Sequence, residues 1–508
     1  MAVEQAFRTR GGFSRIGQML KSLVRQTSHY SLAGILATVA GLVSFPIVTR
    51  VLSVEDYGLL SLMGVSLAFL IAIAKAGSQH GIVRYYAEHR QRAGGGEPAA
   101  FHSTVVFGGL ILAPVVVVMA WLLAWAFRDE LGQLGISPAL VAVLGVMAVA
   151  GVLKSVAINT LRAQEKSGLV SKVTVGAKLL AVGATIGAIL LIEPSAEMFY
   201  YALFAVELVV VGYLFRKTYG GTRLALSSAD WDLGRRLVAF GLPLVGFELS
   251  QLILNIGDRY VIAGVLDSKA VGIYSAAYNL TDYVTMAVTV PIYEAVRPMG
   301  MRIWAEQGQD ALQQFLSRTF HLYFLVAVPV VLGLSLVGDS LLVLLVGERY
   351  AEGADVIPWV IAGKVLNGGI VIFSIGLYVR DRSHVVLVLV AAAALINLLL
   401  NLILVPVAGI KGAAMATLIA YGVLAVMTVI VVRPVFRIRI PFRPVGRVIL
   451  FGLIMAASVS LVGMGTGIYW LVAQVVVGAA VYGGLVACLD PIGQKFRDRV
   501  LAKVVGQG

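Results

Sequence analysis

Charge is scarce in this sequence. Only 13% of its 508 residues are Asp, Glu, Lys or Arg, while 59% are apolar; ordinary globular chains carry about 25% charged residues. A soluble surface needs roughly 25–35% charge, so a water-soluble protein is excluded. The same composition excludes disorder and a coiled coil. Cysteine is nearly absent: Cys488 stands alone, so no internal disulfide can form and a disulfide-stapled scaffold is excluded. Catalytic signatures are missing too. Gly94-Gly95-Gly96 lacks the following Lys-Ser/Thr of a phosphate loop, which leaves no visible ATP site. The six histidines are scattered, without metal-ligand spacing on a shared face. No catalytic residue, metal or cofactor is therefore expected.

Long apolar runs are what the sequence has in quantity. A helix crossing the ~30 Å hydrocarbon core needs about 20 predominantly apolar residues. Fourteen such runs lie near 31–50, 58–83, 103–127, 137–160, 168–192, 197–215, 237–261, 271–296, 317–338, 355–379, 384–405, 411–432, 447–464 and 467–488. Barrel strands would be shorter and polar on one side, so they do not fit. The 55 glycines suit helices that pack closely in lipid. The fold class is all-α: a polytopic membrane protein of about 14 transmembrane helices.

The formal charge of +13 could point to nucleic acid, but its distribution points elsewhere. Taking loops alternately, thirty of the forty lysines and arginines fall on one side and five on the other, with five inside spans. The positive-inside rule then places both termini in the cytoplasm. The polar first 29 residues, with Arg8, Arg10, Arg15, Lys21 and Arg25, read as a retained basic tail rather than a signal peptide. The exterior loops are short, so a soluble catalytic domain has nowhere to sit.

An internal repeat is visible. Val51-Leu52, Gly58 and Ser61 recur as Val265-Leu266, Gly272 and Ser275, displaced by 214. Val83-Arg84 recurs as Val296-Arg297, Pro114 as Pro329, and Glu165-Lys166-Ser167 as Asp381-Arg382-Ser383. Six spans per repeat is an even number, so the two lobes are parallel, and transporters built this way place their site between repeats. The expected layout is a basic cytoplasmic tail (1–30), a six-helix lobe (31–216), a basic cytoplasmic linker (217–236), a second six-helix lobe (237–432), and two added helices with a cytoplasmic tail (433–508).

Ionisable groups at mid-membrane are costly and usually face a cavity or a partner. On the seventh span Glu248, Gln251, Asn255 and Asp258 fall within about 80° of one another at 100° per residue. On the eighth, Ser275, Asn279, Asp282, Thr285, Thr289, Tyr293 and Arg297 form one stripe. Lys75 and Gln79 align with Ser61 on the second span, Lys178 with Ser171, Thr174 and Thr185 on the fifth, and Lys364 with Asn367, Ser374 and Tyr378 on the tenth. The plain alternatives are interhelical hydrogen bonding for Ser, Thr and Asn, snorkelling for Lys154, and pairing of Glu294 with Arg297. Glu207, alone on the sixth span, is either a proton site or a counter-ion for a lysine. With no ATP site, transport would be driven by an ion gradient, by consumption of product, or by nothing at all.

The segment Arg50-Val51-Leu52-Ser53-Val54-Glu55-Asp56-Tyr57-Gly58-Leu59 resembles a run between the first two helices of polysaccharide flippases of the multidrug/oligosaccharidyl-lipid/polysaccharide superfamily. Asp258-Arg259 followed by Val271-Gly272-Ile273-Tyr274-Ser275 is similar to the corresponding stretch of their second lobe. Ser53 departs from the usual glycine. The resemblance implies movement of a polyprenyl-diphosphate-linked oligosaccharide from the cytoplasmic to the outer leaflet of a bacterial inner membrane. It also implies a central cavity lined by helices one, two, seven and eight.

On that reading, a hydrated groove between lobes shields the diphosphate. Lys75, Lys178, Arg259, Arg297 and Lys364 supply positive field, and Asn255, Asn279 and Asp282 complete the substrate site. Glu207, Glu248 and Asp258 are the candidates for a coupling ion. Membrane lipids and other membrane proteins of polysaccharide biosynthesis are candidate partners; nucleic acid is not. The rivals are a multidrug antiporter of the same superfamily and a membrane-bound glycan polymerase or ligase. The spans hold five cations and five acids, a balance that does not separate flippase from antiporter; the Tyr57-Gly58 signature favours the flippase.

Overall fold

Inside hydrocarbon every backbone N–H and C=O must find its partner within the protein, so apolar segments of this length become helices. The computed structural model describes residues 34–92, 94, 98–436, 441–462, 467–494 and 498, without the side chains of 287, 288, 290, 291 and 293–295. The basic tail, Gly95, Gly96 and most of the C-terminal tail lie outside the described residues.

The helices are α1 (Gly34–Val51), α2 (Val54–Ala74), α3 (Ser78–Arg92), α4 (Ala99–Ala126), α5 (Arg128–Gln133), α6 (Pro138–Ala163), α7 (Ser167–Leu191) and α8 (Ala196–Tyr219). After a short 3-10 turn come α9 (Trp231–Ile256), α10 (Asp258–Val265), α11 (Ser268–Val346), α12 (Ile357–Tyr378), α13 (Ser383–Val432), α14 (Phe442–Leu461) and α15 (Ile468–Leu489). Among the described residues, twelve runs are long and apolar enough to cross a membrane. Two long helices are each two segments in series: α11 turns at Gly308 (φ 79°) and α13 at Gly409 (φ 58°). Both angles lie in the left-handed region where glycine alone avoids a Cβ penalty. Dividing them there gives the fourteen crossings expected.

Two expected spans are interrupted. The second breaks at Lys75–Gly77, where Ala76 and Gly77 take φ of 46° and 70°, so Lys75 sits in a turn and Gln79 lies beyond it. The seventh breaks at Gly257, which separates Asp258 from the helix carrying Glu248, Gln251 and Asn255.

The chain forms two units. Among the described residues, one comprises those up to 51 and 66–245, the other 52–65 and those from 246 onward. In the first, Ile82, Phe101, Val156, Leu161, Leu214 and Leu233 anchor a buried apolar core. In the second, Leu312, Tyr323, Ile372, Leu377, Ala393 and Tyr421 do the same, and α14 and α15 add a smaller cluster around Phe451 and Tyr482.

One matched pair of the sequence repeat also matches in its backbone. Glu165 and Asp381, 216 apart, are two of only three non-glycine residues with positive φ among those described (59° and 57°). Each closes the same turn. The N–H of Lys166 donates to Leu161 O at 3.0 Å and that of Glu165 to Arg162 O; Arg382 donates to Leu377 O at 2.9 Å and Asp381 to Tyr378 O. These are helix C-terminal caps of the Schellman type, repeated at one offset.

Candidate functional site

In the unit containing residues 52–65 and 246–508, the beginnings of α2 and α11 pack directly on each other. A Cβ on Gly58 would lie 1.8 Å from Ser268 O, and one on Gly272 would lie 2.1 Å from Val54 O. Val54 and Ser268 are themselves 214 apart, so the contact is reciprocal, the arrangement of a local two-fold axis. One turn further in, Ser61 Oγ donates to its counterpart Ser275 Oγ at 2.8 Å.

Arg259 closes over this pair of serines. Its Nε donates to Ser61 Oγ at 3.0 Å and to Ser275 Oγ at 3.1 Å. Its Nη1 reaches Asn255 O and lies 3.5 Å from Asp258 Oδ1. Asp258 also accepts from the Tyr274 hydroxyl. The side chains of Arg259 and Asp258 are only 3% and 1% exposed. A buried charge is tolerable when paired and hydrogen-bonded, and this pair is both. The arrangement joins the two repeat segments to each other and to α10.

The Tyr278 ring separates this closed half from a more open one. The Arg259 guanidinium lies 4.8 Å from the ring centroid, and Lys364 Nζ lies 4.3 Å from it. Lys364 also pairs with Asp282. Their side chains are 12% and 28% exposed, so this ion pair can be reached. Nearby, Asn279 donates to the Tyr57 hydroxyl at 2.9 Å, and the Tyr421 hydroxyl donates to Asn255 Oδ1 at 2.9 Å. The Tyr278 hydroxyl is buried with no hydrogen-bond partner. A cation–π contact is strongest where water is excluded, and Tyr278 accepts two.

Six sequence candidates therefore come together: Asn255, Asp258, Arg259, Asn279, Asp282 and Lys364. Of the rest of the eighth-span stripe, Thr285 and Thr289 donate to the carbonyls of Thr281 and Thr285 in their own helix. The Tyr293 and Glu294 side chains lie outside the described ones. Arg297 is exposed, its guanidinium 4.6 Å from the Tyr378 ring centroid. It stands 15 residues, roughly 22 Å, along the helix from Asp282, so it does not join the cluster. Glu248 is half-buried on α9.

Lys75, Lys178 and Glu207 belong to the other unit. Lys75 is half-buried in its turn, and Lys178 is on an exposed face of α7. Glu207 is paired with Lys154 at 2.5 Å, and so is a counter-ion for a lysine. The same contact corrects the reading of Lys154 as a snorkelling residue: an opposite charge within reach on α8 outweighs extension toward water. Removing either partner strands the other. Lys154→Ala and Glu207→Ala should each cost about 1–3 kcal/mol, less than a fully buried pair because the side chain of Lys154 is 35% exposed. The double variant should recover part of the loss. Melting of the three proteins in detergent checks this; an additive double variant would show that the contact contributes nothing.

Helical spacing gave no site role to Tyr274, Tyr278 or Tyr421, and it passed over one amide pair. Tyr274, Tyr278 and Tyr421 look like core aromatics until their hydroxyls and ring faces are placed. Asn397 and Asn401, four apart on α13 and buried, were detectable by spacing; Asn401 donates to Asn397 O, and Asn397 faces Thr417.

Comparison with known proteins agrees with this architecture. The lipid II flippase MurJ, solved in an inward closed conformation, matches with a TM-score of 0.74 at 13% identity, over 93% of this chain and 99% of that one. An inward-facing multidrug resistance MATE family transporter matches with a TM-score of 0.62 at 17% identity, over 78% and 94%. At such identities these structures speak to the fold alone. In sequence, the probable low-salt glycan biosynthesis flippase Agl15 of Haloferax volcanii is 21% identical over 342 residues, 66% of this chain and 71% of that protein. Residues 47–355 match the model of a family described as polysaccharide biosynthesis protein. That match spans more than half of a chain with the fold of a multi-pass transporter, and the protein belongs to the polysaccharide biosynthesis protein family.

Proposed function

We propose that the protein is a flippase that carries a polyprenyl-diphosphate-linked oligosaccharide from the cytoplasmic to the outer face of a bacterial inner membrane by alternating access. The observation that carries this reading is the reachable Lys364, held between the Asp282 carboxylate and the Tyr278 ring in otherwise apolar helices. A diphosphate crossing hydrocarbon needs its charge met by cations, and hydroxyls and amides suit the sugar. Membership of a polysaccharide biosynthesis family and likeness to a glycan flippase support the substrate class. The acids that an organic-cation site would need are largely engaged: Asp258 by Arg259 and Tyr274, Glu207 by Lys154. An enzymatic role has no support in the sequence or the site.

The test is reconstitution into liposomes with a fluorescent polyprenyl-diphosphate sugar, scoring exchange between leaflets. Protein-dependent exchange is expected; none with correctly inserted protein would refute the reading. Sidedness is tested by cysteine labelling in intact cells, with Cys488, which is exposed, replaced by serine. Glu193→Cys and Lys269→Cys should react with an impermeant reagent from outside. Lys166→Cys and Ser227→Cys should react only after permeabilisation. All four positions are exposed in the structure, and reversal at two would overturn the orientation.

A further inference from the structure

The two cations that share Tyr278 are held in unlike ways. Arg259 is 3% exposed and its donors are spread over Ser61, Ser275, Asn255 O and Asp258. Lys364 is different. An ammonium has three donors, and the contacts described for Lys364 are one carboxylate, Asp282, and the face of one ring. Asp282 is the more exposed partner at 28% and sits on the face of α11 that carries Asn279. It is a negative charge tethered where an anionic ligand of Lys364 would place its own.

We propose that Asp282 is a resident stand-in anion that sets the charge a ligand must carry to occupy Lys364. This rests on the flippase reading and deepens it, because it names how the substrate's anionic group is selected. A membrane is full of phosphodiester headgroups with one negative charge. A lone lysine that such headgroups could reach would be occupied by them. A tethered carboxylate has a high effective concentration and like-charge repulsion toward any newcomer. A monoanion gains no more from Lys364 than Asp282 already does, so it is excluded. A diphosphate brings at least two charges and several acceptor oxygens, and these can take up the spare N–H donors of Lys364 while displacing the carboxylate. Selectivity then comes from an element that rejects the wrong ligand as well as one that attracts the right one. Tyr278 keeps the ammonium in place during the exchange, because its ring holds the cation whichever anion is present.

The test uses the full-length protein in nanodiscs of zwitterionic lipid, with inorganic pyrophosphate as the ligand, titrated with and without added phosphatidylglycerol. Wild-type protein should bind pyrophosphate with an affinity that phosphatidylglycerol changes by less than about twofold. Asp282→Asn should bind pyrophosphate about tenfold tighter in zwitterionic lipid and lose most of that gain when phosphatidylglycerol is present. Asp282→Glu, which restores a carboxylate, should behave as wild type, showing that the Asn variant is folded but altered in selectivity. Lys364→Ala should lose pyrophosphate binding in both lipids. An Asp282→Asn protein with wild-type affinity and no sensitivity to phosphatidylglycerol would overturn the proposal, as would pyrophosphate binding by neither protein. The liposome assay separates the two levels: exchange of the lipid-linked sugar with unaltered Asp282→Asn selectivity defeats this inference alone, whereas absence of exchange defeats the flippase reading.

Discussion

Alanine at Gly58 or at Gly272 should prevent the protein from accumulating as a monodisperse species in the membrane. In an exposed helix, glycine to alanine ordinarily stabilises by about 1 kcal/mol, because alanine loses less backbone freedom on folding. Here the sign reverses. The new methyl at Gly58 would sit 1.8 Å from Ser268 O and 2.8 Å from the N of Gly272, and the one at Gly272 would sit 2.1 Å from Val54 O. All three are backbone atoms, so no side chain can rotate aside; the beginnings of α2 and α11 would have to separate. Separation also pulls Ser61 from Ser275 and opens the serine pair on which Arg259 rests, leaving a buried guanidinium short of partners. Close small-residue contact is what holds helices together in lipid, where burial of apolar surface supplies no net attraction. Gly183→Ala and Gly187→Ala on α7, where a Cβ would meet nothing within 4 Å, are the controls and should leave yield and melting unchanged or slightly improved. Detergent-solubilised yield and size-exclusion profile decide it. Normal profiles for both Gly58→Ala and Gly272→Ala would mean that the reciprocal contact is not needed for assembly.

Much of this was legible in the sequence, for reasons that mark the limit. Hydropathy located the spans because the bilayer imposes one length on every crossing. It missed the breaks at Lys75–Gly77 and Gly257, since a run of apolar residues reads the same whether or not its backbone turns. The repeat surfaced through Gly58, Ser61, Gly272 and Ser275 because a close reciprocal contact tolerates only small residues on both copies. Helical spacing set Asn279 and Asp282 on one face and Lys364 on a face of its own helix, but a wheel gives a direction and never a partner. For that reason Asp282 with Lys364, and Glu207 with Lys154, emerge only in three dimensions. Arg297 obeyed the same periodicity and yet lies about four turns away, because a stripe that runs the length of a helix also runs out of the site. Tyr278 and Tyr421 were the omissions, and Tyr57 and Tyr274 entered only through the family resemblance. The composition class of tyrosine is apolar, whereas Tyr57, Tyr274 and Tyr421 each supply a hydroxyl bond, and Tyr278 supplies the ring that two cations share.

Exchange of lipid-linked sugar should fall steeply in Lys364→Ala, while the protein itself remains at normal levels in the membrane. Arg259→Lys should do the converse, reducing folded protein first. The two residues are both cations on one tyrosine, yet their surroundings assign them different work. Lys364 is reachable, and truncating a charge that meets a desolvated anion costs on the order of 2–5 kcal/mol, so a fall in exchange rate of about 30-fold or more is expected. Its loss leaves behind Asp282, which at 28% exposure can recover water, so stability suffers little. Arg259 bridges both serines through one Nε and meets Asp258 through Nη1. A lysine keeps the charge but has no planar fork to span those partners. Asp258, 1% exposed, would then be left under-compensated in a place water does not reach, which is the costly way to break an ion pair. Lys178→Ala joins the series as another proposed substrate cation, on the exposed face of α7, and should lower exchange without lowering protein. Exchange rate per folded molecule, measured beside melting temperature, separates the two behaviours. If Lys364→Ala exchanges normally per molecule, the reachable ion pair is structural and the site must be sought elsewhere; if Arg259→Lys melts like wild type but fails to exchange, the buried arginine meets the substrate after all.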